Sequence, residues 1–313
     1  MTLSLENKLV TIIGGSGFIG SHVAQVLLER GARLRIASRN PEKAFGLKPL
    51  ANLGQLQFTR CDVRKQEAIA ASVADADAVV YLVGTFGADQ KALQADGAAY
   101  AAQCAADGGA QAFVYMSSIG ADAQKSGGYY STKGQGEQRV LEAFPTATII
   151  RPSAVAGQEE GLVPMFAQMV AMLPVIPVFG AQSQLQPVIV SDLAEAVGNA
   201  LADPGTHGGK TYEATGPDAM TMRQIYEAMA MAQRRKRIFL PMPDGVAAIV
   251  AMLPMSPLSS DQLAMLKEGS TATPGAPQLD KLGVTPRPLS LFLDRWMVQY
   301  RKQGRFTGES TSA

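Results

Sequence analysis

The chain has 313 residues, 47% of them hydrophobic and 18% charged, which is about two domains' worth at ~150 residues each and carries too much apolar area for intrinsic disorder. Its 28 basic and 27 acidic side chains leave a net charge of +1, so no whole-molecule field points to nucleic acid as a partner. Two cysteines, Cys61 and Cys104, and two histidines, His22 and His207, are too few and too scattered for a metal cage or a disulfide framework, and the expectation is a reduced, metal-free intracellular protein.

Strand-like apolar runs alternate with helical patterns through the first half, the order that gives a parallel sheet covered by helices on both faces. The opening MTLSLENKLV has neither the basic region nor the long apolar stretch of an export signal, and Lys8 leads into the first predicted strand, residues 8–14. Further strands are predicted at 33–38, 56–60, 77–83, 112–117 and 147–151, with helices between them. Beyond Arg151 the pattern loosens into a smaller lobe, with strands QLQPVIV (184–190) and GKTYEA (209–214) and helices near 191–202 and 221–233. The division predicted is one domain over 1–155 and a smaller lobe over 156–313, interleaved near 185–200.

No charged residue lies between Gly161 and Ser191, and the apolar run from Leu162 is as long as a membrane span. Pro164, Pro174 and Pro177 would each disturb hydrogen bonds that a lipid-exposed helix must satisfy internally, and Gln168 adds a polar cost. The expectation is a short Met-rich helix, a loop and an apolar strand lining a pocket or a contact surface. The 14 methionines serve either as core filler or as an adaptable apolar surface. RRKR at 234–237 reads as a solvated edge rather than a nucleic-acid contact, since no aromatic platform accompanies it. Residues 234–313 carry 11 basic and 6 acidic side chains, a net +5 that points to an anionic partner, acidic protein or lipid headgroups. In the tail, Leu291, Leu293, Trp296, Met297 and Tyr300 recur near helical spacing with basic residues between them. His22 is read as a packed or helix-surface histidine, His207 as a loop residue, and Asp192 as a cap-region carboxylate.

GGSGFIG at 14–20 follows the first strand and opens a helix, the context that a phosphate-binding glycine loop requires. Gly14 permits the tight turn, Gly17 lets the backbone approach a pyrophosphate, and Gly20 lets the helix pack closely on the strand while its N-terminal amides face the negative charge. The fold class is therefore α/β, a Rossmann-type doubly wound parallel sheet with a smaller C-terminal α/β lobe. At the end of the second strand, where a free ribose 2′-hydroxyl calls for a carboxylate, stand Ser38 and Arg39. A guanidinium there suits a 2′-phosphate, which favours NADP(H) over the alternative NAD(H), unless Arg39 is only a solvated loop residue. Asp62 after the third strand either accepts from the adenine amino group or caps a helix beginning near Arg64. Tyr129 and Lys133 lie one turn apart on one helix face, so the ammonium can lower the phenol's pKa and hold the nicotinamide ribose, with Ser118 orienting the substrate oxygen; the plainer reading is an ordinary helix pair.

The sequence resembles the short-chain dehydrogenase/reductase superfamily, in its extended or atypical branch. The motifs that carry this, in order, are GGSGFIG (14–20), CDV (61–63), VYMSSIGA (114–121), YYSTK (129–133), IIRPSAVAG (149–157) and PVIVSDLAEAV (187–197). The resemblance implies a catalytic set of Ser118, Tyr129 and Lys133. It also implies a cofactor site made of Gly14, Ser16, Gly17, Phe18, Ile19 and Gly20, then Ser38, Arg39, Asp62, Val63, Val83 and Gly84, and Tyr129, Lys133 and Pro152. Two departures stand out: the interval from Ser118 to Tyr129 is short, implying a reduced substrate loop, and YLVGTF (81–86) replaces an asparagine-containing segment of many active members.

SSIGAD (117–122), RPSAVAGQE (151–159), the Pro-rich tail, LGVTPRPLSLFL (282–293) and QYRKQGRF (299–306) are similar to a narrower group, the accessory subunits of respiratory complex I (NADH:ubiquinone oxidoreductase) and their bacterial relatives. That similarity implies a tightly held, structural NADPH, complex I subunits or a membrane surface as partners through the C-terminal tail, and a cytoplasmic position peripheral on the inner membrane. The alternative is an active NADP-dependent oxidoreductase or epimerase acting on a hydrophobic or quinone-like carbonyl through the Ser-Tyr-Lys set.

Overall fold

The computed structural model describes residues 3–243 and 265–302. The chain divides into two compact units, one of residues 1–153, 190–214 and 272–285, and the other of residues 154–189, 215–271 and 286–313. Residues 190–214 and 272–285, which follow position 156 in the chain, thus belong to the first unit.

The first unit is a parallel sheet of seven strands: β1 (Leu9–Ile13), β2 (Arg33–Ser38), β3 (Leu56–Arg60), β4 (Ala78–Tyr81), β5 (Ala112–Met116), β6 (Thr148–Pro152) and, much later in the chain, β11 (Thr211–Ala214). Their order across the sheet is β11-β6-β5-β4-β1-β2-β3, so the chain reverses direction beside β1, at the switch point where α/β sheets bind ligands. The central strands are apolar runs without alternation because helices cover both faces; β4 (AVVY) and β5 (AFVYM) are buried throughout. Helices α1 (Phe18–Glu29) and α6 (Val190–Ala202) pack together, as do α2 (Gln66–Val73), α3 (Gly97–Asp107) and α4 (Gly128–Ala143). A Cβ at Gly198 of α6 would lie 2.8 Å from the Arg30 guanidinium carbon, so Arg30 of the segment after α1 lies close against α6 there.

The edge strand β11 is covered by the returning segment 272–285. Glu213 donates its backbone N–H to the Pro277 carbonyl at 2.8 Å, and its buried carboxylate accepts from the Thr273 N–H (2.6 Å) and hydroxyl (2.8 Å). Unpaired strand groups are satisfied there rather than exposed.

In the second unit, β7 (Val155–Ala156) pairs with β10 (Val188–Ile189), β9 (Gln184–Leu185) with β12 (Met220–Thr221), and β8 (Val175–Val178) with β13 (Ile238–Pro241). Its core joins α5 (Leu162–Met172), α8 (Met222–Ala232) and the helix Ser290–Trp296 through Phe166, Val170, Tyr226, Met229, Leu293, Trp296 and Met297. The charge-free stretch is the expected Met-rich helix, loop and apolar strand. The strand expected at 184–190 is instead two short pieces, because Pro187 offers no N–H and the ladder changes partner around it. Helix α8 starts at a capping box in which the Thr221 hydroxyl accepts the Gln224 N–H and the Gln224 side chain accepts the Thr221 N–H.

The basic run is not simply a solvated edge. Arg235 donates to the Tyr300 carbonyl at 2.9 Å, and Arg237 donates to the Val170 carbonyl (2.7 Å) and the Ala171 carbonyl (3.3 Å), satisfying acceptors at the end of α5. Among the described residues no helix is long and apolar enough to cross a membrane. The end of the tail motif, 303–306, lies outside the described residues.

Candidate functional site

The predicted site residues gather at the C-terminal ends of β1 to β6, within the first unit. Gly14 turns the chain out of β1 with φ +87°, and its N–H donates to the Ala37 carbonyl of β2 at 2.8 Å. A Cβ on Gly20 would sit 2.6 Å from both the Gly14 oxygen and the Gly15 Cα, so this position packs helix onto strand as expected. Gly15 is tight as well, with the Ile12 oxygen 2.9 Å from its Cβ position, whereas at Gly17 the nearest atom is 3.4 Å away. Room at Gly17 is what a backbone approached by a pyrophosphate needs. The first turn of α1, with Phe18, Ile19 and Gly20, carries no acidic residue and no side-chain cap on its amides, which leaves them for an anion. Ser16 lies in the turn between Gly14 and this helix.

Ser38 ends β2, and its Oγ is buried with no hydrogen-bond partner; Arg39 follows it and is exposed. An orphaned hydroxyl at the end of the second strand fits a dinucleotide ribose. Asp62 does not cap the helix, and its carboxylate is held by Arg64. Arg64 grips its carboxylate through Nε (3.0 Å) and Nη2 (2.7 Å) and donates a backbone N–H at 3.1 Å, and this pairing holds the Asp62 carboxyl down at about 2. The helix beyond begins at Gln66, so Asp62 closes a turn ahead of it rather than capping it. Val63 is buried in the core beside this turn.

Lys133 is the centre of the remaining group. It is 2% exposed, and its Nζ donates to the Met116 carbonyl at 2.7 Å and the Val83 carbonyl at 3.3 Å. Gly84 is open towards it, with Lys133 Nζ 3.5 Å from the Cβ position. Burial pushes the Lys133 ammonium down to about 7, with the Glu137 carboxylate pulling it back up. Ser118 Oγ donates to the Ile119 carbonyl at 3.1 Å, and the Ser118 hydroxyl lies near enough to the Tyr129 phenol to pull its pKa down. The expected lowering of the Tyr129 pKa does not occur: burial raises it, Tyr130 adds to the rise, and the Ser118 hydroxyl only partly offsets them. Pro152 ends β6 and accepts the Ile119 N–H at 3.0 Å, which ties the serine loop to the strand.

Three side chains of this site carry no signal in the sequence pattern. Gln94 is fully buried in a single π-turn at Ala92–Asp96; its amide N–H donates to Thr132 Oγ1 at 3.0 Å, while its Oε1, without a partner, lies 3.5 Å from the Gly84 Cβ position. Ser117, next to the expected Ser118, has a buried hydroxyl with no partner. Phe86 lays its ring 4.5 Å from that of Tyr129 at 31° between planes, so the segment YLVGTF that departs from the expected pattern supplies the aromatic wall of the tyrosine. The only warning was that departure.

Residues 14–168 match a family of domains described as NAD(P)H-binding. Over 99% of its length the chain is 28% identical to NADH dehydrogenase [ubiquinone] 1 alpha subcomplex subunit 9, mitochondrial, of Arabidopsis thaliana, covering 82% of that protein. The NADH-ubiquinone oxidoreductase 40 kDa subunit of Neurospora crassa is 26% identical over 97% of the chain and 82% of its own length. The chain is a homologue of these complex I subunits. Its fold is that of NAD(P)-binding, epimerase/dehydratase-like short-chain dehydrogenases/reductases. Among solved structures, the Thermus thermophilus UDP-glucose 4-epimerase complex with NAD superposes with a TM-score of 0.69 at 19% identity, covering 94% of this chain and 99% of that one. That likeness concerns the fold alone.

Proposed function

We propose that the chain binds NADP(H) in this site as a structural group and works as an accessory component of complex I, peripheral at the cytoplasmic face of the inner membrane. The observation that carries the reading is similarity to complex I subunits along nearly the whole chain, 99% of it in one case. The state of the Ser118, Tyr129 and Lys133 set supports it. A phenol raised by burial is a poor general base at neutral pH, and a lysine at about 7 that is already hydrogen-bonded to two carbonyls does little to ionise it. The same lysine, with a third N–H to give, is well placed to hold a nucleotide ribose, and the free hydroxyls of Ser38 and Ser117 offer further ligands.

The second unit supports a partner-facing role. Met172, Leu173, Val175, Ile238 and Leu240 are all exposed, and Val175 and Ile238 are register partners in β8 and β13, so these two and Leu240, two residues on, share one face of the pair. The net +5 of residues 234–313 adds attraction to acidic protein or anionic lipid.

The test is a mild-detergent pull-down of the tagged protein from its own cells' membranes with quantitative mass spectrometry. Stoichiometric complex I subunits are expected, and recovery of the chain alone from the soluble fraction overturns the assignment. For the nucleotide, Arg39→Asp should shift the NADPH to NADH affinity ratio by about tenfold towards NADH, the size of one charge-assisted contact. An unchanged ratio removes Arg39 from the site.

A further inference from the structure

We propose that Arg60 is a second ligand of the nucleotide 2′-phosphate, and that Glu42 is a built-in competitor occupying Arg60 until that phosphate arrives. The inference rests on the NADP(H) reading above and names the residues that set its specificity.

The strands fix Arg60 beside the orphaned hydroxyl. In the parallel ladder of β2 and β3, Ser38 is the register partner of Arg60, and the Cys61 N–H donates to the Ser38 carbonyl at 2.8 Å. Register partners project from the same side of a sheet. The ladder demonstrates this at an earlier pair, where Arg35 Nε donates to the side chain of its partner Gln57 at 3.0 Å. Ser38 Oγ, Arg39 and Arg60 therefore converge on one end of the sheet.

Glu42 is brought to the same place by the stretch Pro41–Leu50, which packs on β3 through a Phe45–Phe58 ring contact of 5.0 Å, with Lys48 3.6 Å above the Phe45 ring. Phe58 and Arg60 alternate onto one face of β3. The Glu42 Oε1 stands 3.4 Å from Arg60 Nη2, long for a charge-assisted bond, and the two side chains are 56% and 74% exposed. Such a contact is readily exchanged. Asp62 does not compete for Arg60, because Arg64 already grips it with two guanidinium nitrogens. A 2′-phosphate brings three acceptor oxygens and up to two negative charges to Arg39 and Arg60, whereas the 2′-hydroxyl of NADH offers Arg60 nothing better than Glu42.

Calorimetric titration of the full chain with NADPH and with NADH tests this. Arg60→Ala should weaken NADPH about tenfold and leave NADH within twofold, while Glu42→Gln should tighten NADPH severalfold and leave NADH unchanged. In the Arg60→Ala background, Glu42→Gln should then have no effect on NADPH. Both side chains are exposed, so neither variant endangers folding. If Arg39→Asp changes the NADPH to NADH ratio but Arg60→Ala does not, or if Arg60→Ala weakens both nucleotides equally, Arg60 is not a phosphate ligand and the NADP(H) reading stands. If the unaltered protein binds NADH as tightly as NADPH, or binds neither, the underlying reading fails and this inference with it.

Discussion

Glu137 and Arg151 form a bidentate pair, with Arg151 Nε donating to Oε1 at 2.8 Å and Nη2 to Oε2 at 2.6 Å. Glu137 lies one helical turn beyond Lys133 on α4, and Arg151 is the register partner of Glu213 in β11. The pair thus links the helix of the candidate site to the sheet edge held by the segment 272–285. The Glu137 carboxylate beside it raises the Arg151 pKa, so the cation stays charged over the whole accessible range.

Glu137→Ala should therefore cost about 3 kcal/mol, because it strands a half-buried guanidinium rather than merely deleting a contact. The double variant Glu137→Leu, Arg151→Met should recover part of that loss, since an apolar pair strands neither member of the ion pair, while the buried Glu213 carboxylate keeps its two Thr273 donors but loses a neighbouring cation. Urea unfolding of the three proteins measures both effects. Equal losses in the single and double variants would mean that packing, not charge, is what Glu137 supplies.

Lys133 predicts a pH dependence of stability. Its pKa falls from 10.5 in the open chain to about 7 when buried, so between these values the unfolded chain binds a proton that the folded chain does not. Raising the pH through this window therefore favours the folded state, by up to about 1.4 kcal/mol per pH unit from this group alone. Unfolding free energies of the wild type and Lys133→Met, compared from about pH 7 to about pH 10, should diverge: the wild type gains on the variant as pH rises. Parallel curves would show that the ammonium keeps its ordinary pKa in the folded protein.

The strands at 33–38 and 56–60 were legible to the residue because each is an apolar alternation bounded by turn-forming residues, and burial rewards that pattern directly. The same holds for the glycine loop, whose close contacts at Gly20 follow from spacing alone. What escaped the sequence depends on geometry that no period encodes. Gln94 becomes a buried site residue only because a π-turn inserts one extra position before α3. Arg235 and Arg237 look like surface charge until the chain ends of α5 and the tail present carbonyls to them. The phenol of Tyr129 was expected to be acidified by a neighbouring cation, but desolvation outweighs any such help, and desolvation is a property of the packed fold rather than of Y-x-x-x-K.

Gly17 and Gly20 of the loop should separate folding from binding. Gly20→Ala places a methyl 2.6 Å from backbone atoms of Gly14 and Gly15, which cannot yield, and should cost about 3 kcal/mol or more of stability. Gly17→Ala meets nothing nearer than 3.4 Å and should melt near the wild type, yet lose NADPH affinity by about tenfold or more if the pyrophosphate lies against that backbone. Thermal melts and calorimetric titrations on both variants provide the comparison. Unchanged affinity in Gly17→Ala would remove the pyrophosphate from this loop.

Tyr129→Phe discriminates the structural reading of the site from the catalytic one. The variant keeps the ring that stacks on Phe86 at 4.5 Å and loses only the hydroxyl and its polar interaction with Ser118. One neutral hydrogen bond contributes about 1 kcal/mol, so stability and NADPH affinity should each fall by less than tenfold in the corresponding equilibrium constant. Co-purification with complex I subunits should be unaffected, because the hydroxyl then has no chemical task. Were the phenol instead the proton donor or acceptor of a reaction, the same substitution would leave the nucleotide bound and remove turnover by orders of magnitude. Tyr129→Ala, which also removes the stacking face, should weaken NADPH binding further and expose still more of the Phe86 ring, and the gap between the two variants measures what the Phe86 contact contributes to the site.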